Sequence, residues 1–144
     1  MDLKEEFKNP HSVTNILEEY YGEEIEYSPI HNNAYYHLTP NEMIALNTSE
    51  LTAYKRYGFL RGVESGKVYA KIESITLDKS NGLDLNNNIP LGKILEPYGH
   101  TRKNLYAKEV KEVDEAGNNI GFRITAMLFI NDAPISMVRE WIYE

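Results

Sequence analysis

The chain has 144 residues, of which 42% are hydrophobic and 26% are charged, a balance typical of a folded globular protein. It contains no cysteine, which excludes disulfides, thiol chemistry and zinc sites built on cysteine. The formal net charge of −7 argues against a nucleic-acid partner, because neutralising phosphates requires a basic surface. The length predicts one domain over residues 1–144.

Capping signals predict two helices in the first third of the chain. Ser12 is a good N-cap and Gly22 a good stop, so we expect a helix over 12–21. Thr39 and Glu42 form a capping box, with proline at the first helical position, and this predicts the start of a second helix.

A hydrophobic period of two, interrupted by turn residues, predicts strands over much of the remaining chain. Because the consecutive strands are joined by tight turns, we expect an antiparallel sheet that packs one face against helices, an α+β fold. A short helix over 89–95 interrupts the series. The predicted strands are 25–27, 54–61, 67–77, 105–113, 122–130 and 135–143.

Two of these strands carry a charged residue on a face that is otherwise apolar. Alternation places Glu140 beside Val138 and Ile142, where a carboxylate is costly unless it has a partner or a function. The alternative is an edge strand or a bulge that turns Glu140 outward. Arg56 shares a face with Leu60, and its planar guanidinium suits a carboxylate; the alternative is an arginine at the sheet edge that reaches into solvent.

Helix starts and histidines are the remaining candidates. Backbone amides at the beginning of a helix can hold an anion, so 12–14 and 90–92 are candidate anion sites. The histidine spacings match no metal motif, and no phosphate-binding or dinucleotide-binding glycine motif occurs, so we expect neither metal nor cofactor. We interpret the four histidines as surface or loop residues: His11, His31, His37 and His100.

Several short segments, in this order and spacing, resemble the chorismate pyruvate-lyase superfamily, especially its short archaeal and bacterial branch. The segment 12–18 resembles the opening helix of that family, and Arg56 with the hairpin ending at 69–74 resembles its central hairpin. The most specific motif is Pro-Leu-Gly-Lys-Ile-Leu at 90–95, followed by Thr-Arg at 101–102. The last strand, 134–141, resembles the closing strand of the family.

This resemblance implies a single antiparallel β-sheet with helical flaps over a buried ligand cavity. It also implies a cofactor-independent lyase that converts chorismate to 4-hydroxybenzoate and pyruvate, with Arg56 and Glu140 as catalytic residues. Arg56 would hold the ring carboxylate, helped by the amides of Val13 and Leu91, and Glu140 would meet the ring hydroxyl. The implied substrate-binding residues are Val13, Arg56, Leu91, Gly92, Arg102 and Glu140.

One position departs from the family. Glu73 stands where some family lyases have a second arginine that serves the admission of substrate. Because chorismate is a dianion, the missing positive charge would have to come from Arg61, Arg102 or Lys103. Sequence does not separate a chorismate lyase from a diverged member of the family that takes another aromatic acid.

The alternative from another class is a non-catalytic module that binds a small aromatic acid, because the same fold forms effector-binding domains of bacterial transcription regulators. Those domains follow a winged-helix region, for which this chain has no room, and that favours the enzyme. The expected partner is a small anionic aromatic or cyclohexadienyl ligand, without nucleic acid or membrane, in a monomer or homodimer. The charged N-terminus is no signal peptide and no apolar run has membrane length, so we expect a cytoplasmic location.

Overall fold

The computed structural model describes residues 2–9, 11–30, 34–78 and 82–144. The helices are α1 (Leu3–Lys8), α2 (Val13–Tyr21), α3 (Pro40–Ala45) and α4 (Leu91–Leu95), the last continued by a 3₁₀ turn (Glu96–Tyr98). The strands are β1 (Ile25–Pro29), β2 (Ala34–His37), β3 (Thr52–Gly62), β4 (Val68–Thr76), β5 (Thr101–Val113), β6 (Asn119–Ile130) and β7 (Ala133–Tyr143).

Both predicted helix caps are present. The Ser12 hydroxyl accepts a hydrogen bond from the Asn15 amide at 3.4 Å, and Gly22 ends α2 in the left-handed conformation at φ 68°. Thr39 and Glu42 form the capping box of α3. Two elements escape the sequence prediction. These are α1, whose single buried residue is Phe7, and the four-residue strand β2.

All described strands join one antiparallel seven-stranded sheet in the order β1-β3-β4-β7-β6-β5, with β2 also paired to β3. The prediction of an α+β fold with a single antiparallel sheet is therefore confirmed. Among the described strands β5 pairs only with β6, so it forms an edge of the sheet. Its register shifts twice, between Asn104 and Tyr106 and between Glu109 and Glu112, which marks two bulges.

The strand register brings distant residues together on one face. Ser74 of β4 lies opposite Arg56 of β3 on one side and Val138 of β7 on the other. Glu140 of β7 lies opposite Ile124 of β6, and Arg102 of β5 lies opposite Leu128 of β6. Since side chains of directly paired residues lie on the same face, one face of the sheet carries all these groups.

Buried apolar side chains form two clusters on opposite faces of this sheet. The larger one packs the sheet against α1, α2 and α4 and includes Phe7, Leu17 and Leu95. The smaller one packs around α3 and includes Leu46 and Ile75. Within the described ranges the longest helix, α2, has 9 residues, and no helix is long and apolar enough to cross a membrane.

Candidate ligand cavity

A cavity lies between the inner face of the sheet and the starts of α2 and α4. Its volume is about 30 Å³, room for about two waters and well below the ~150 Å³ that holds benzene in a protein core. An aromatic ligand therefore requires lining side chains to move. The lining residues are Ser12, Val13, Thr14, Leu60, Ile72, Glu73, Ser74, Leu91, Gly92, His100, Arg102, Leu128, Val138 and Glu140.

The two helix starts meet at this cavity because Gly92 has no side chain. A Cβ atom on Gly92 would lie 2.7 Å from the Ser12 hydroxyl oxygen, too close for any other residue without displacement. The first amides of a helix, here those of Val13 and Leu91, have no carbonyl partner within the helix. The structure thus places Val13, Leu91 and Gly92 together at the cavity.

Arg102 and Glu140 form an ion pair at the cavity wall. Nη2 of Arg102 donates to Oε1 of Glu140, and the two side chains are only 7% and 8% exposed. Nε of Arg102 donates to Oδ1 of Asn104 at 3.0 Å. The side-chain nitrogen Nδ2 of Asn104 lies 3.3–3.5 Å from the carbonyl oxygens of residues 7–9, at the end of α1. The carboxylate of Glu140 is therefore shielded from solvent, and it is already paired with Arg102.

Arg56 is fully buried, at 0% exposure, and does not line the cavity. Its Nη2 donates to the carbonyl oxygens of Asn87 at 2.9 Å and Ile89 at 2.8 Å, and its guanidinium lies 3.9 Å from the centre of the Tyr27 ring. Within the described residues, Nε and Nη1 have no hydrogen-bond partner and no carboxylate pairs with Arg56. Burial lowers the pKa of Arg56, as expected for a charge in a dry site.

Ser74 lies next to Arg56 in the sheet and also lines the cavity, and sequence reasoning missed it. Ser74 lies directly opposite Arg56, lines the cavity and is 1% exposed. Its hydroxyl oxygen has no hydrogen-bond partner in the described part of the chain. The available signal was a serine continuing the apolar alternation of Ala70 and Ile72. Two neighbouring strands thus present unpaired donors on one buried face.

The remaining charged or titratable residues that line the cavity, among those described, are Glu73 and His100. Glu73 faces cations of the sheet, at 3.8 Å from Lys55 and 3.6 Å from Arg139. His100 lines the cavity alone among the described histidines, while His31 lies outside the described residues. No cluster of metal-binding residues occurs in the described ranges.

No protein-family model matches this chain, and no curated protein matches it. Solved structures share its fold. The ligand-binding domain of a protein assigned to the GntR-family transcriptional regulators, from Bordetella bronchiseptica, aligns at TM-score 0.60 and 13% identity over 83% of this chain and 88% of that one. PhnF from Mycobacterium smegmatis aligns at TM-score 0.68 and 8% identity over 94% of this chain. A GntR-family transcriptional regulator from Enterococcus faecalis aligns at TM-score 0.50 and 12% identity over 81% of this chain and 91% of that one.

At these identities the likeness shows the fold alone. The chain spans 64% of the length of PhnF, so it corresponds to part of that protein. The fold is one found in ligand-binding domains of transcriptional regulators.

These structures correct the expectation of an enzyme. The prediction of a carbon-oxygen lyase is wrong, because the similar solved structures are parts of transcriptional regulators. The geometry agrees with the correction, since Glu140 is already paired with Arg102. The expectation that nucleic acid is no partner is also unsupported, because proteins with this fold act in transcription.

Proposed function

We propose that this chain is a non-catalytic module that binds a small organic acid, such as an aromatic acid, in the cavity below α2 and α4. The observation that carries this proposal is the buried charge of Arg56, which has no acidic partner among the described residues. A charge out of water is costly unless it is paired, and buried polar groups are nearly always bonded. A ligand carboxylate would supply the missing partner.

The Ser74 hydroxyl indicates where that carboxylate would bind. Its unpaired hydroxyl lies at the cavity wall, directly across from Arg56, whose Nε and Nη1 are also unpaired. A carboxylate accepts several hydrogen bonds at once, and a guanidinium suits it in two-pronged geometry. We therefore assign Arg56 and Ser74 to the carboxylate, with the amides of Val13 and Leu91 close by.

The rest of the lining suits the body of such a ligand. Leu60, Ile72, Leu128 and Val138 are apolar and buried, and contact with them favours a ring or hydrocarbon chain. Arg102 and Glu140 form a polar boundary to this apolar space. Because the cavity is small, we propose that binding moves the segment before α4, which Arg56 holds through two carbonyl oxygens.

The fold supports a regulatory role for the bound acid. Similar structures include a ligand-binding domain of a transcriptional regulator, and we propose that the present cavity likewise reports the presence of a metabolite.

Calorimetric titration with 4-hydroxybenzoate tests this function. We expect the wild type to bind and Arg56→Met to lose affinity by on the order of 100-fold, since an uncompensated carboxylate would then be buried. Ser74→Ala should lose roughly tenfold. Arg123→Met removes a partly exposed arginine that does not line the cavity and should bind like the wild type. Unchanged affinity in a folded Arg56→Met variant would show that Arg56 does not bind the ligand.

A further inference from the structure

We propose that this site accepts acids with one negative charge, rejects acids with two, and owes this preference to Glu140. The inference rests on the proposed function, since it concerns the charge of the acid that the cavity holds. It follows from a count of the charges around the cavity and from the bonds that each of them already makes.

The count leaves one uncompensated charge. Arg102 and Glu140 neutralise each other, and Glu73 faces the cations Lys55 and Arg139. Among the described residues at or beside the cavity this leaves Arg56, which lies next to the lining residue Ser74 in the sheet, as the cation without a counter-ion. An acid with one carboxylate balances Arg56. A second carboxylate would enter a buried space that offers no free cation and already holds the carboxylate of Glu140.

Arg102 cannot serve a second carboxylate without loss. Its Nη2 is bonded to Glu140 and its Nε to Asn104. A ligand that took Arg102 would leave Glu140 in a buried site without a counter-ion, and breaking a buried pair in this way is strongly unfavourable. Two carboxylates that share one cation also oppose each other's ionisation. Glu140 therefore keeps Arg102 from binding the ligand and excludes a second carboxylate from the cavity.

Replacing Glu140 reverses this situation. In Glu140→Gln the shape of the side chain is kept, but the positive charge of Arg102 is no longer neutralised. Two arginines are then uncompensated, Arg102 at the cavity and Arg56 beside it, which matches the two charges of a diacid. The matched control is Glu112→Gln, because Glu112 pairs with Arg123 at 3.4 Å, is 40% exposed and does not line the cavity. Both substitutions remove one negative charge from an arginine–glutamate pair.

The experiment compares acids of matched size by calorimetry. One pair is 4-hydroxybenzoate and terephthalate, and the other is butyrate and succinate. At about pH 8 both diacids carry two charges. We expect the wild type and Glu112→Gln to prefer the better-binding monoacid over its diacid by on the order of 100-fold. Glu140→Gln should lose that preference and bind the diacid at least tenfold more tightly than the wild type does.

The possible negative results of this experiment lead to different conclusions. If the wild type binds a diacid as well as the matched monoacid, the inference is overturned while the proposed function stands, and this result requires no variant. If folded Glu140→Gln keeps the wild-type preference, Glu140 does not set it. If none of the four acids binds to any of the three proteins, the proposed function itself fails.

Discussion

Replacing Arg102 by methionine should destabilise the protein strongly, because it leaves the carboxylate of Glu140 in a buried site without a partner. The two side chains are 7% and 8% exposed, so the solvent screening that weakens surface ion pairs is largely absent. Removing one partner of a buried pair costs about 3–5 kcal/mol. At roughly 3 °C per kcal/mol for a chain of this length, the melting temperature should fall by about 10–15 °C.

Urea unfolding followed by circular dichroism measures this loss, and two further variants make it specific. Arg123→Met breaks the exposed pair with Glu112, whose side chains are 39% and 40% exposed, and should cost less than about 1 kcal/mol. The double variant Arg102→Met/Glu140→Leu should recover most of the loss, because no unpaired charge remains. If Arg102→Met unfolds within about 1 kcal/mol of the wild type, Glu140 does not depend on Arg102 and the reasoning is refuted.

Three further predictions concern other parts of the molecule. Hydrogen bonds from the Tyr69 hydroxyl and from amides lower the pKa of Glu23 to about 2, from 4.5. The stability this gives is present above pH 4.5 and is lost as the pH falls towards 2, so Glu23→Gln should flatten the pH dependence of the urea midpoint in that interval; an unchanged slope contradicts this. Gly92→Ala should push the Ser12 hydroxyl from its cap, lower the unfolding free energy by about 1 kcal/mol and weaken ligand binding, and Ser12→Ala should cause a similar loss of stability in urea unfolding. Dialysis against a chelator should leave the melting temperature unchanged, and a fall of several degrees would reveal a metal site.

The elements that could be predicted from the sequence are those with local signals. Ser12 and Gly22 delimit α2, the capping box at Thr39 starts α3, and the period of two locates the long strands, because caps and alternation act within a few residues. The missed elements depend on distant partners. Helix α1 is held by Phe7, which packs on Phe122 at 5.5 Å between ring centres, and β2 exists through its pairing with β3.

The sequence indicated several residues that the structure places at or beside the cavity, but it indicated neither Ser74 nor the pairing of the charged side chains. Alternation places Glu140 on a buried face, and in the structure it does lie there. Its pairing with Arg102 could not be derived, because it depends on the register of β5, β6 and β7, and because the predicted β5 began at residue 105, three residues beyond Arg102. That no carboxylate of the described residues pairs with Arg56 is likewise a property of the whole fold.

The position of β5 at the sheet edge has a consequence for aggregation. An uninterrupted edge of 13 residues would be a template for strands of other chains. The two bulges divide that edge into shorter segments, and exposed lysines at 103, 108 and 111 oppose the approach of a second strand. The strand that carries Arg102 therefore stays open to water on its outer side without adding neighbours, while Arg102 is held by Glu140 of β7 and by Asn104 of its own strand.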